Sequence, residues 1–318
     1  MPDPAPRHVF GPVPSRRLGR SLGIDLVPHK TCPFDCLYCQ VGRTTDHTLR
    51  RREFVPLDAV LAEIGERLRA AADDPPDTIT FSGSGEPTLY SRAGELIDGI
   101  HALTDIPVTV LTNGALFPDP AVRAEIARAD RVVPSLDAPD EATFLRVNRP
   151  APGLGFDALA AGLVAFREDF RGELWLEVFL LRGLTDDEAT VRAMADVARR
   201  IRPERVQLNT VHRPPAEDAA RAVPRDELER YAELFTPRAE VIAPYRSERL
   251  EREHGLDPEA VLALLRRRPC TAEDVAAGLG LHPLEAGKLL ELLVAEGAAR
   301  RRAEAGAVFY DASAPGSA

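Results

Sequence analysis

Cys32, Cys36 and Cys39 stand in the run Cys-Pro-Phe-Asp-Cys-Leu-Tyr-Cys-Gln, and they are three of the chain's four cysteines. Thiols this close, with Pro33 and Asp35 between them, belong to a loop rather than to a packed core. A metal explains the spacing better than burial does, and two sites compete. Structural zinc takes four protein ligands, and His29 or His47 can supply the fourth. An iron-sulfur cubane takes four thiolates, one per iron; held by three, it keeps one iron open for an outside ligand. An open coordination position is what separates a catalytic metal site from a closed structural one.

Such a loop needs a frame. Strand-like and helix-like segments alternate from about residue 20 to residue 242. Strands are expected at 23–27, 78–81, 108–111, 131–136, 174–181 and 206–209, and helices at 57–72, 92–103, 119–129, 157–169, 187–201 and 225–235. Leu57, Val60, Leu61, Ile64 and Leu68 show the spacing of a one-sided helix. Repeated strand-helix units imply an α/β protein with a parallel sheet, open or closed, and six units are two short of a full eight-fold barrel. In barrel folds chemistry gathers where strands end. The cysteine loop follows the first strand, Ser82-Gly83-Ser84-Gly85-Glu86-Pro87 the second and Thr112-Asn113-Gly114 the third. Ser135 and Asp137 close the fourth, Arg182-Gly183 follows the fifth, and Asn209 closes the sixth, with His212 and Arg213 beyond it.

Cys-x3-Cys-x2-Cys with Tyr38 before its last cysteine resembles the radical S-adenosylmethionine (SAM) enzymes. The resemblance implies a partial (βα)6 TIM-type barrel and a [4Fe-4S] cluster on Cys32, Cys36 and Cys39. It also implies SAM chelated by the free iron and cleaved by one electron to a 5'-deoxyadenosyl radical. Gly83, Ser84, Gly85 and Glu86 resemble the glycine-glycine-glutamate motif whose carbonyls receive the SAM ammonium, although Ser84 interrupts it. Glu86 either holds this loop or meets the ligand amine. Asn113 serves a turn or the cofactor. Ser135 and Asp137 lie where the family contacts the SAM carboxylate or ribose, with a helix N-cap as the other role for Asp137, and Asn209 faces the adenine end. Arg16, Arg17 and Arg20 are placed near the barrel mouth, for a substrate phosphate or carboxylate. The runs GPVPSRRLGRSLGIDL, SGSGEPTL, LTNG and SLDA resemble a subgroup of small radical SAM proteins named by analogy with tRNA wyosine-base synthases. That resemblance spans about residues 8 to 215 and implies an unknown substrate and a reducing partner such as flavodoxin or ferredoxin.

The core is expected over 1–245. Residues 257–311 read as a separate winged helix-turn-helix: Thr271 to Asp274 as a capping box, a helix broken at Gly278-Leu-Gly280, a second helix from Pro283 to Ala295, and a hairpin around Ala305-Gly306. Residues 312–318 read as a disordered tail. This second unit carries seven basic residues against nine acidic, which argues against sequence-specific DNA binding. Cys270 alone cannot support a second cluster. Net charge is -10 over 318 residues, no apolar run is long enough to span a bilayer, and no signal peptide is evident, so a reducing cytoplasm is expected. Only Lys30 and Lys288 are lysines among forty basic residues. Two rival readings remain: an iron-sulfur redox-sensing regulator acting through the winged helix, and a zinc-stabilised barrel.

Overall fold

A computed structural model describes residues 8–15, 17–211, 215–242, 258–265, 269–279, 281–304 and 307–313. Arg16, His212, Arg213, the hairpin tip at 305–306 and residues 314–318 lie outside the described residues.

Eight strands form one sheet in the order β1-β2-β5-β6-β7-β8-β9-β10. These are β1 (Val9–Ser15), β2 (Gly19–Ile24), β5 (Thr78–Phe81), β6 (Val108–Thr112), β7 (Arg131–Pro134), β8 (Glu173–Phe179), β9 (Arg205–Asn209) and β10 (Glu240–Val241). All neighbours are parallel except β1, which pairs antiparallel with β2. The short β3 (Thr31–Cys32) and β4 (Asp46–His47) pair beside the sheet. The connecting helices are α1 (Leu57–Ala70), α2 (Ala93–Leu103), α3 (Pro120–Ile126), α4 (Glu141–Val147), α5 (Phe156–Asp169), α6 (Glu188–Ile201) and α7 (Arg225–Ala232).

The six expected strand-helix units are present. Their alternating strand residues explain which way each face turns. Ile79, Phe81, Val108, Val110, Leu176, Val178, Val206 and Leu208 are fully buried against the helices. The opposite face is polar: Ser21 bonds Thr80 at 2.7 Å and Thr78 bonds Thr109 at 2.9 Å, hydroxyl to hydroxyl. Below them Leu18, Val133 and Trp175 form a small apolar cluster. This polar face is the one available for a ligand.

Several elements depart from the sequence expectation. The first parallel strand begins at Gly19 rather than at residue 23. β1 is an added edge strand; Pro12 and Pro14 hide it in the sequence, yet an edge strand tolerates prolines because its outward N–H groups have no partner strand. α4 spans seven residues, too few to display a helical period, and the Asp140 carboxylate caps it by accepting from Thr143 N at 2.8 Å.

Beyond residue 257 come α8 (Pro258–Leu265), α9 (Ala272–Leu279), α10 (Pro283–Ala295) and an antiparallel pair, β11 (Ala299–Glu304) and β12 (Ala307–Ala312). Thr271 and Asp274 exchange capping bonds, Thr271 N to Asp274 Oδ2 at 2.9 Å and Asp274 N to Thr271 Oγ1 at 3.1 Å. Helix α8 is an element that the sequence reading lacked. Ala312 pairs with Ala299, so the hairpin reaches one residue past the expected boundary. The unit has its own core around Val261, Leu265, Val275, Leu290 and Tyr310. It meets the sheet at β1: Phe10 stacks on His282 at 4.7 Å, and Gly11 N donates to Glu285 Oε1 at 2.7 Å.

Candidate active site

The cysteine loop leaves the end of β2 and is pinned on both flanks. Thr44 donates from its backbone N to Asp35 Oδ1 at 2.8 Å and from Oγ1 to Phe34 O at 2.6 Å. Leu37 N donates to Val147 O at 3.0 Å and Ala151 N to Pro33 O at 2.7 Å, which ties the loop to the far end of α4. Each thiol then meets a nitrogen donor, two of them from other segments. Asn113 Nδ2 lies 3.4 Å from Cys32 Sγ, Asn148 Nδ2 3.4 Å from Cys36 Sγ, and Lys30 Nζ 3.0 Å from Cys39 Sγ.

The residues of the loop are partly accessible, but the sulfurs of Cys32 and Cys36 sit deep enough for burial to govern their ionisation. Burial, then the charge of Glu86, pushes the Cys32 thiol up to about 12. Burial, then the charge of Asp137, raises Cys36 well above the ordinary thiol range. A bound cation's positive charge opposes this rise and favours both thiolates. Burial lowers the Lys30 ammonium, but the Cys39 charge and hydrogen bond outweigh it and the net shift is upward.

The second strand-end loop is stitched to the third by Glu86, which is 3% exposed. Its Oε1 accepts from Thr88 N at 3.1 Å, Thr88 Oγ1 at 2.7 Å and Thr112 Oγ1 at 2.6 Å, and its Oε2 accepts from Asn113 N at 2.8 Å. Ser84 Oγ donates to Asp25 Oδ2 at 2.6 Å, and Ser84 N to Asp25 Oδ1 at 3.0 Å. Gly85 is required by close approach: a Cβ there would stand 2.1 Å from the Thr31 carbonyl oxygen. The loop is thus built against the root of the cysteine loop. Asn113 makes the expected turn, its Oδ1 accepting from Ala115 N at 2.9 Å, while its Nδ2 lies 3.4 Å from Cys32 Sγ.

At the fourth strand end Asp137, 4% exposed, binds the Tyr38 hydroxyl and accepts from Asn148 Nδ2 at 2.8 Å and Phe179 N at 3.3 Å. The same Asn148 amide faces Cys36, and the Tyr38 ring stacks on Phe179 at 4.0 Å. Ser135 is half-buried, bridged to Glu177 through the backbone. Asn209 Nδ2 donates to Glu177 Oε1 at 2.7 Å, and Arg17 pairs with the other oxygen of Glu177.

Residues 26–194 match the family model described as the Radical SAM superfamily, more than half of the chain. The chain belongs to the radical SAM superfamily. It is 36% identical over 307 residues to a GTPase Obg of Brachyspira hyodysenteriae, covering 96% of this chain but 45% of that protein. The chain therefore spans less than half the length of that relative. It is 33% identical over 284 residues to a UPF0026 protein of Methanocaldococcus jannaschii, covering 89% of this chain and 85% of the other. Among solved structures it resembles a radical SAM methyltransferase from Sphaerobacter thermophilus in fold, with a TM-score of 0.52 and 19% identity over 70% of this chain and 66% of that one.

A radical SAM enzyme carries a [4Fe-4S] cluster and SAM, acts on a substrate and draws an electron from a reductant. The cysteine loop fits that cluster. Three thiols each meet an N–H donor, the setting iron-sulfur sulfurs accept. Among the described residues no three Cys, His, Asp or Glu side chains gather tightly enough for a single metal ion. The zinc alternative also loses its fourth ligand: His29 is exposed, and His47 Nε2 is 2.9 Å from Pro33 O.

Several of the expected contact residues have protein partners. Glu86 holds the loop, because its carboxylate is consumed by the protein. Asp137 is not the N-cap, a role Asp140 takes for α4; its carboxylate braces Tyr38 and Asn148 behind Cys36. Asn209 is 5% exposed and spends its amide on Glu177 and Thr210. Arg20 is not at the mouth. It opens β2 at the opposite end of the sheet and bonds Asp74 and, from its backbone N, Asp77. Arg17 is held by Glu177, so both described guanidinia already have carboxylate partners. Lys30, Asn148 and Asp25 were not singled out as site residues. In the sequence the scarcity of lysine reads as codon bias; Asn148 and Asp25 carry no local signal, because Cys36 and Ser84 lie 112 and 59 residues away.

Proposed function

We propose that this radical SAM enzyme binds its cluster through Cys32, Cys36 and Cys39, uses SAM reductively and modifies a substrate by hydrogen-atom abstraction. The carrying observation is the three-donor setting of three thiols at the strand end that also presents Gly83, Gly85 and Asn113. Bound there, cluster and SAM supply a 5'-deoxyadenosyl radical. The chain's own residues position and shield. The Gly83 and Gly85 carbonyls accept no hydrogen bond among the described residues and are the acceptors for the SAM ammonium, whereas Ser84 O already takes Lys30 N at 2.7 Å. Ser135, half-buried at the next strand end, is the remaining contact for the cofactor's polar groups.

The same reading includes a partial (βα)6 barrel. β2 and β8 are separated by β5, β6 and β7, which in a flat sheet would place them about 19 Å apart. Arg17, in the turn before β2, nevertheless pairs with Glu177 of β8, which supports a sheet bent around its polar face. The three helices and hairpin after residue 257 are read as a winged helix-turn-helix that contacts a protein or presents substrate, its acidic balance disfavouring DNA. Oxygen-sensitive chemistry and free thiols favour a cytoplasmic setting, with a flavodoxin or ferredoxin as electron donor.

The test is anaerobic: reconstituted protein is reduced with dithionite, given SAM and assayed for 5'-deoxyadenosine, beside Cys36→Ala. Product from the unsubstituted protein alone is expected. No product from a protein that holds an intact cluster, with an EPR signal indifferent to SAM, overturns the proposal.

A further inference from the structure

Lys30 is a buried cation that forms no ion pair with a carboxylate among the described residues. It is 3% exposed, and its ammonium lies 3.0 Å from Cys39 Sγ. A buried ammonium facing neutral thiols is strongly disfavoured. Facing thiolates that carry a cluster, it has its anion.

The backbone holds this side chain in place. Lys30 has φ 53, in the left-handed region that residues with a Cβ avoid. Its N donates to Ser84 O at 2.7 Å, and its O accepts from Thr45 N at 3.0 Å and Asp46 N at 3.2 Å. Three bonds from two other loops thus fix an unfavourable conformation, as happens where a site over-determines its geometry. The residue type is also selective. Lys30 is one of two lysines among forty Lys and Arg residues. A guanidinium is a broad planar fork, whereas an ammonium is a compact point charge that fits beside one sulfur.

The other two thiols meet neutral amides at 3.4 Å, from Asn113 and Asn148. Cys39 alone meets a full positive charge, and at shorter range. Hydrogen bonds and charge at the sulfurs set the potential of an iron-sulfur cluster. Reduction adds one negative charge, and a fixed cation stabilises the more negative state. We propose that Lys30 is a positioning residue of the cluster, which holds the Cys39 thiolate and makes the cluster easier to reduce by one electron from the external donor. This rests on the radical SAM reading given above.

The experiment is an EPR-monitored redox titration of reconstituted protein, with iron and sulfide quantified, for the unsubstituted chain, Lys30→Met and Lys30→Gln. In Lys30→Met the ratio of reduced to oxidised cluster at a fixed poise is expected to fall at least tenfold, a downward shift of about 59 mV for one electron. Lys30→Gln keeps an N–H donor without the charge and is expected to shift less. An unchanged midpoint in Lys30→Met with full iron and sulfide content overturns the proposal. Loss of cluster from Lys30→Met but not from Lys30→Gln supports a donor that holds Cys39, and the midpoint is then read in Lys30→Gln. Loss from both makes Lys30 a structural residue of the loop and also overturns it. Whether SAM perturbs the signal of the unsubstituted protein is read separately, so failure of the radical SAM reading is distinguishable.

Discussion

At Asp137 three donors converge on one buried carboxylate, from Tyr38, Asn148 and the backbone of Phe179. Burial dominates and lifts its pKa from 3.8 to about 6, although the hydrogen bonds oppose the rise. The folded protein therefore holds this proton more tightly than the unfolded chain does. Stability from this group is greatest below pH 4 and is lost as pH rises through about 6, a change on the order of 3 kcal/mol for a shift of that size. Asp137→Asn cannot titrate, so the stability difference between the two proteins, from urea unfolding between pH 4 and 7, should narrow or reverse as pH rises. A pH-independent difference would mean that Asp137 is ionised throughout. The sequence made the three thiols legible because their spacing lies within eight residues. It concealed the role of Asp137 because Tyr38 is 99 residues away and the bracing passes through a side chain, Asn148.

Loops at the strand ends behave as one element built from pieces. Gly85 sits against the root of the cysteine loop, where Glu86 N donates to Thr31 O at 3.0 Å. In Gly85→Ala the new Cβ would lie 2.1 Å from that same backbone oxygen, and backbone cannot swing aside as a flexible side chain can. The variant is expected to keep its far-UV circular dichroism and to lose most of its bound iron after reconstitution; full iron retention would show that the two loops are independent. The helices were legible wherever a period ran for three turns, as in α1 and α6. α4 and β1 were not: one is too short for a period, and the other carries prolines that only an edge position permits. The glycines of Ser82 to Glu86 were legible as a strand-end loop, but their packing against Thr31 and Asp25 was not, because it depends on which strand lies next door.

On the scale of the whole molecule, the C-terminal helical unit is attached at the sheet edge. Phe10, 2% exposed, covers Gly23, whose missing Cβ leaves room for the ring, and its other face meets His282. Lys288 Nζ lies 5.4 Å from the same ring. Glu285 divides its carboxylate between Gly11 N and, at 2.8 Å, His282 N, so a helix cap doubles as an interdomain bond. Removing a buried aromatic side chain costs about 3–5 kcal/mol. In Phe10→Ala that loss should appear at the junction: faster amide exchange in the first turn of α10 and earlier proteolytic separation of the two units, with β5 to β9 still protected. Unchanged exchange in α10 would show that the stack contributes nothing to attachment.

Gly11 and Glu285 are 274 residues apart. A growing chain releases β1 before the strand-helix units of the sheet, and every one of those units emerges before the residues that fasten that strand. Until His282 and Glu285 arrive, the Phe10 ring has water on one side and the Gly11 amide has no acceptor. The clasp on this edge therefore closes only after the sheet has emerged, so the C-terminal unit records, in a single contact, that the sheet before it has already been made.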